Sequence, residues 1–204
     1  MSELPPQIIE LRTPNFVLRT LQPGDEGPEL ESWTLDPIVA EMMNAELKTW
    51  SIERQRSFFA TGLSRPDRRF IGIFPAGSAV PIGVFIIKLN VSKGTFVVST
   101  LIGDKSWRGK NVITECADEI YRLLFMETGF HKGKANVLPT NKAMIWLMAQ
   151  SAWRREGRLR KHLSNSTNKE RLDVLVYGLL KPLWLDFITR KKREGAQAND
   201  GVQI

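Results

Sequence analysis

Apolar and polar positions change period along this chain, and each change predicts an element. Phe16 to Leu21 alternates as a first strand does. Pro23-Gly24-Asp25 follows, with Asp25 predicted to cap a helix. Apolar residues from Leu30 to Met43 take helical spacing, and Pro37 divides them into two short helices. Ser51, followed by Arg54 and Gln55, opens a helix that runs to about Leu63. Arg69 to Phe74 and Ile82 to Leu89 read as strands joined by the Pro75-Ala76-Gly77-Ser78 turn. Thr95 to Ile102 is the fourth strand, entered through a Ser92-Lys93-Gly94 turn.

From Val112 the period becomes helical again. Val112, Ile113, Cys116, Ala117, Ile120, Leu123 and Leu124 recur at spacings of three and four, with Glu115, Asp118, Glu119 and Arg122 opposite. One amphipathic helix to about Thr128 is predicted. Lys132 to Pro139 reads as a strand, Asn141 to Gln150 as a helix, and Arg171 to Leu180 as the last strand. This order predicts an α+β sandwich of one domain over residues 1–184. Residues 185–204 form a basic extension, predicted to be disordered from Gly195 onward.

Composition narrows the class without changing that picture. The 42% apolar content of 204 residues suffices for one buried core. A single cysteine excludes a disulfide scaffold and fits a reducing compartment. Met1 to Glu10 is polar and proline-bearing, which predicts no signal peptide. The longest apolar run, Ile82 to Ile87, is too short to span a bilayer, so a cytoplasmic protein without membrane attachment is expected. The net charge of +7 gathers at Arg65–Arg69, at Arg154–His162 and at Arg190–Arg193. Such surfaces serve anionic ligands, ribosomes or nucleic acid, but no aromatic residues interleave with them as a stacking platform requires.

The candidate chemistry lies at Ile102 to Cys116 (IGDKSWRGKNVITEC). A strand that ends in a glycine- and cation-containing turn and feeds a helix presents free N–H groups and the positive end of the helix dipole. That is an anion site. Arg108 and Lys110 add charge, and Gly109 permits close approach. A phosphate-bearing cofactor is the expected occupant.

The same stretch resembles motif A of the GNAT superfamily of N-acetyltransferases, in the branch of the RimJ and RimL ribosomal-protein acetyltransferases. The family's Arg/Gln-x-x-Gly-x-Gly/Ala turn corresponds to Arg108, Asn111 and Ile113, so both glycines are replaced. Asn tolerates left-handed backbone, whereas Ile113 puts a branched side chain where the phosphates would lie. Asn141, Trp153 to Arg160 and Arg171 to Leu180 match later motifs, and the resemblance extends over Phe16 to Trp184. It implies a mixed, mainly antiparallel sheet of about six to seven strands, splayed between the fourth and fifth, with helices on both faces. It also implies acetyl-CoA as cosubstrate, held by Leu101, Ile102, Gly103, Arg108, Gly109, Lys110, Asn111, Val112, Ile113, Thr114 and Asn141. No metal is implied.

The catalytic group is left open. The family often has Glu in the middle of the fourth strand, Ser early in the next motif's helix and Tyr further along it; this chain has Phe96-Val97-Val98-Ser99, Met144 and Met148 there. Ser99 and Glu156 remain as weak catalytic candidates, with His131 and His162 behind them. Cys116 replaces a small core residue and is not expected to act as a nucleophile. Trp33, Met42, Met43, Trp50, Phe58 and Phe59 form either an acceptor pocket or core, and Asp36, Glu41 and Glu46 bind a cationic amine or remain solvated. Two functions stay open. One is acetyl transfer to a small amine, an amino sugar or a protein N-terminus, a ribosomal protein included, by a monomer or homodimer. The other is a catalytically weak GNAT-fold protein that binds acyl-CoA or a partner without turnover.

Overall fold

The computed structural model describes residues 2–200. Its strands are β1 (Glu10–Arg12), β2 (Phe16–Thr20), β3 (Arg68–Pro75), β4 (Gly83–Asn90), β5 (Thr95–Ile102), β6 (Lys132–Val137), β7 (Arg154–Ser164) and β8 (Arg171–Leu180). They form one sheet in the order β1-β2-β3-β4-β5-β6-β8-β7. Every neighbouring pair is antiparallel except β5–β6. The helices are α1 (Pro28–Thr34), α2 (Pro37–Met43), α3 (Ile52–Ser64), α4 (Val112–Arg122), α5 (Lys142–Ala149) and α6 (Lys181–Asp200).

Eight strands exceed the expected six to seven. The addition is β1, whose three residues are too few to show a period and which owes its conformation to pairing with β2, Leu11 against Leu18. Strand alternation divides the core in two. Ile71, Ile73, Phe85, Ile87 and Phe96 pack on one face with Cys116 and Ile120 of α4 and Trp184 of α6. Phe70, Phe74 and Val84 pack on the other with Leu30 and Trp33 of α1 and Phe59 of α3. Each such side chain contributes about 1.5–3 kcal/mol on burial.

Several ends differ from the sequence reading. Gly27, not Asp25, precedes α1, with Pro28 in its first turn. Asp25 instead receives two hydrogen bonds from the Arg19 guanidinium, at 2.8 and 2.6 Å, and one from the Gln22 amide. The helix expected to run to Thr128 is α-helical only to Arg122 and then widens into a π turn, Leu123–Glu127. Leu123, Leu124 and Phe125 are all buried, and the wider turn lets three consecutive side chains face the core. The helix α6 continues through residues 195–200, expected to be disordered, because packed Trp184 starts it and elongation is cooperative; residues 201–204 lie outside the described residues. In the first basic cluster, Arg69 is buried and donates to the carbonyls of Pro5, Pro6, Pro66 and Arg68. It ties down the N-terminal segment and offers no surface charge.

Candidate functional site

The site opens where the sheet stops pairing. Strands β5 and β6 share three register pairs, from Thr95↔Lys132 to Val97↔Lys134. Beyond these, β5 continues to Ile102 with no partner on that side. Register decides which of its groups are free. Gly103 N–H donates to Ile82 O at 2.9 Å, and Leu101 stands opposite Val84. Antiparallel alternation therefore commits Leu101 to β4 and turns the N–H and C=O of Thr100 and Ile102 toward β6. Of the three strand-end residues expected to bond the cofactor, Ile102 presents its N–H to the gap, whereas the main chains of Leu101 and Gly103 bond β4.

Above β5 the chain passes through a short 3₁₀ turn (Lys105–Trp107) and enters α4. Gly109 and Asn111 both have positive φ, +76° and +57°, so the turn adopts a left-handed shape that Gly accepts freely and Asn tolerates. No side chain caps α4. Among the described residues, the N–H groups of Gly109, Lys110, Asn111, Val112, Ile113 and Thr114 donate to no acceptor; the first to do so is Glu115, to Asn111 O at 3.0 Å. Nothing lies within 4 Å of the position a Cβ on Gly109 would take. Six donors without an acceptor among the described residues thus surround an open turn at the place where the sequence predicts an anion. Ile113, partly buried, packs against the core and lines both cavities below.

The two cationic side chains expected there behave differently. Arg108 turns inward: its Nε donates to Ile102 O at 3.0 Å, its Nη2 donates to Gly103 O at 2.8 Å, and Nη2 lies 2.8 Å from Asp36 Oδ2. Burial pushes the Asp36 carboxyl up, but the Arg108 guanidinium, the Ile38 amide and Lys105 together hold it below the usual carboxylate range. Arg108 therefore braces the end of β5 against the start of α2. Lys110 projects outward, its Nζ 5.3 Å from the Trp107 ring centre.

Two adjoining cavities, which share lining residues, follow the gap. The larger, about 410 Å³, runs from the α4 turn between α2 and α5; Leu101, Ile102, Arg108, Gly109, Asn111, Val112, Ile113, Thr114 and Asn141 line it, while Gly103 and Lys110 do not. The smaller, about 150 Å³, lies between β5 and β6, and its polar lining is Asn44, Ser99, Thr100, Tyr121, Asn136 and Asn141. Asn141 borders both. Its Oδ1 caps α5 by accepting from Met144 N at 3.0 Å, which leaves its Nδ2 donor without a protein partner.

Of the catalytic candidates, Ser99 reaches this gap and Glu156 does not. Glu156 lies on β7 and takes two hydrogen bonds from Lys132 Nζ, at 2.6 and 2.8 Å. His131 precedes β6 beside Gly94, and His162 is exposed on β7. Burial, assisted by the Glu115 charge, pushes the Cys116 thiol up to about 12, which excludes a thiolate nucleophile near neutral pH. The proposed aromatic wall divides: Met42 and Met43 line both cavities, whereas Trp33 and Phe59 are core. Thr100, Tyr121 and Asp36 were not assigned these places from sequence. Their positions depend on the β5 register and on the helix pair, and no local pattern encodes either.

A family model described as acetyltransferase (GNAT) domain matches residues 15–152. No curated protein matches the chain. Among solved structures, an acetyltransferase of the GNAT family from Bacillus anthracis superposes with a TM-score of 0.72 at 17% identity, over 84% of this chain and 98% of that one. The spermidine N-acetyltransferase from Vibrio cholerae, solved with CoA and spermine, gives 0.73 at 17% identity, over 83% and 98%. The ribosomal-protein-S5-alanine acetyltransferase from Vibrio fischeri gives 0.71 at 13% identity, over 86% and 98%. At these identities the likeness concerns the fold.

Proposed function

The chain belongs to the acetyltransferase (GNAT) domain family, and on that premise we propose that it moves an acetyl group from acetyl-CoA to a primary amine. The observation that carries this reading is the run of six unpaired N–H groups from Gly109 to Thr114, opening onto a cavity that follows the free edge of β5. The residues fit the cosubstrate. Diphosphate oxygens suit the N–H cluster at the mouth of α4, and a chain of amides suits the Ile102 N–H and the N–H and C=O of Thr100, as an added strand would. Asn141 Nδ2 supplies one further donor between the two.

Acetyl-CoA supplies a thioester whose acyl carbon an uncharged amine attacks directly; the C–N bond forms with a tetrahedral oxyanion, the C–S bond then breaks, and the proton shed by the nitrogen ends on the departing thiolate, giving the amide and CoA thiol. No enzyme nucleophile is needed. The protein orients the two reactants and presents backbone N–H groups to the developing oxyanion. The acceptor would enter past Met42, Met43 and Asn44, between α2 and the β7–β8 hairpin. A small amine, an amino sugar and a protein N-terminus all fit this reading; resemblance to the RimJ and RimL branch supports the last.

Calorimetric titration with acetyl-CoA, followed by a thiol-release screen of amines, tests the proposal. Binding with release of CoA on at least one amine is expected. Binding with no release on any amine would make this an acyl-CoA-binding protein without turnover, and no binding would overturn the reading entirely.

A further inference from the structure

The wedge where β5 and β6 part ends in an apolar recess. Their last shared pair is Val97↔Lys134, and Val98 and Ala135 are the first residues beyond it. Both are buried, and with Val137, Met148 and Trp153 they floor the smaller cavity on the α4 side of the sheet. Among the described residues, no Asp, Glu, His, Lys or Arg lines that cavity. Its polar groups lie around the floor. Ser99 and Asn136 alternate to the opposite face of the sheet. Thr100 and Asn141 border the larger cavity as well, toward the α4 turn. The Tyr121 hydroxyl oxygen is taken by Trp153 Nε1, which donates to it at 3.3 Å.

This recess lies where the reactive end of the cosubstrate would arrive. Laid along the free edge of β5, the arm of CoA runs from the α4 turn past Ile102 toward Val98, about 13 Å of strand at roughly 3.3 Å per residue. Its thioester then stands over the floor, and an acetyl group has a single methyl to lay on it. The cavity measures about 150 Å³; an apolar space of roughly that size takes a six-carbon ring. The thioester and the amine occupy part of it, which leaves room for about two to four further carbons. On the α5 side the walls are Met144 and Met148, whose unbranched thioether chains re-pack around a guest more readily than branched ones.

Resting on the acetyl transfer proposed above, we propose that the donor site also takes short, straight-chain acyl-CoA thioesters, butyryl to hexanoyl, and binds them more tightly than acetyl-CoA. The bonds made and broken are those of acetyl transfer, and only the substituent on the acyl carbon changes. Selectivity comes from apolar contact, because each methylene laid on Val98, Ala135 and Met148 leaves water.

Calorimetric titration of the full chain with CoA, acetyl-CoA, butyryl-CoA and hexanoyl-CoA tests the proposal and requires no acceptor. Full burial of one methylene is worth about fourfold in affinity, and a partly open cavity returns about two- to fourfold for each. Butyryl-CoA is therefore expected to bind about 4- to 16-fold tighter than acetyl-CoA. Ala135→Leu fills the recess and should erase the difference. Acetyl-CoA binding as tightly as the longer thioesters, or more tightly, overturns the inference. So does a gain that survives in folded Ala135→Leu protein, because the acyl group then lies elsewhere. Should that variant not fold, displacement of butyryl-CoA by acetyl-CoA is read instead: one-for-one displacement supports a shared site, and failure to displace overturns the inference. The same titrations separate the two claims. No binding of any of the four sinks both, whereas acetyl-CoA binding with no gain along the series sinks only this one.

Discussion

Arg108 carries a different task from the one its motif suggests. The guanidinium bridges two carbonyls at the end of β5 and a buried carboxylate at the start of α2. A lysine cannot reproduce that fork. Arg108→Lys should therefore lower stability by about 1–3 kcal/mol in urea unfolding, discounted from a fully buried pair because the arginine is partly exposed. An unchanged midpoint would show the brace to be incidental. At Asn141 one side chain does two things, capping α5 and offering Nδ2 to the cavity. Asn141→Ala should cost about 1 kcal/mol of stability through the cap. It should also weaken acetyl-CoA by roughly 1–2 kcal/mol through the lost donor; calorimetry at matched folded fraction separates the two. Ile113 faces the core, so Ile113→Gly should destabilise the first turn of α4 without tightening acetyl-CoA, and a tighter complex would mean that the side chain does crowd the phosphates.

Elements place these residues, and the β5–α4 unit does most of the placing. A short 3₁₀ turn capped by Asp104, whose Oδ1 accepts from Ser106 N at 2.8 Å, sets the direction in which α4 departs. Beneath it Gly103 lies against Trp33, where an added Cβ would sit 1.9 Å from the indole. Gly103→Ala should displace Trp33 and with it α1, lowering the urea midpoint by the equivalent of about 1–3 kcal/mol. Retained stability would mean that α1 shifts freely. The sheet's two edges are protected by different means. On one side β1 is only three residues long, and on the other β7 carries Arg154, Arg155, Arg158, Arg160 and Lys161, which repel a second basic edge.

The whole molecule responds to acid through carboxylates that the fold holds ionised. Burial raises Asp36 and Glu115, but the donors around each outweigh it: Arg108 and the Ile38 amide at Asp36, Thr13 and Asn15 at Glu115. Both folded-state values lie below the unfolded ones. Their stabilisation is thus fully present above about pH 4.5 and is lost as pH falls through the folded values. Thermal melting followed from pH 7 to pH 3 should show a falling Tm below that point, and Asp36→Asn should flatten the fall. An equally steep fall in the variant would assign the acid limb to other groups. No helix among the described residues is long and apolar enough to cross a membrane.

Sequence by itself determined the elements whose signals are local. The strand periods from Phe16 to Ile102, the Pro37 break between α1 and α2, the Ser51 cap and the turn at Arg108–Asn111 that leads into α4 all depend on residues within a few positions of one another. Only the tertiary structure decided the rest, because it depends on residues far apart in the chain. Pairing with β2 made a strand of Glu10–Arg12, and the shared register of β4 and β5 turned Thr100 and the Ile102 N–H toward the gap. Asp36, some seventy positions upstream, turned Arg108 from a ligand contact into a brace. Glu156 left the site because it sits against Lys132, at the end of β6 that still pairs with β5, and Tyr121 entered it because the gap penetrates to α4.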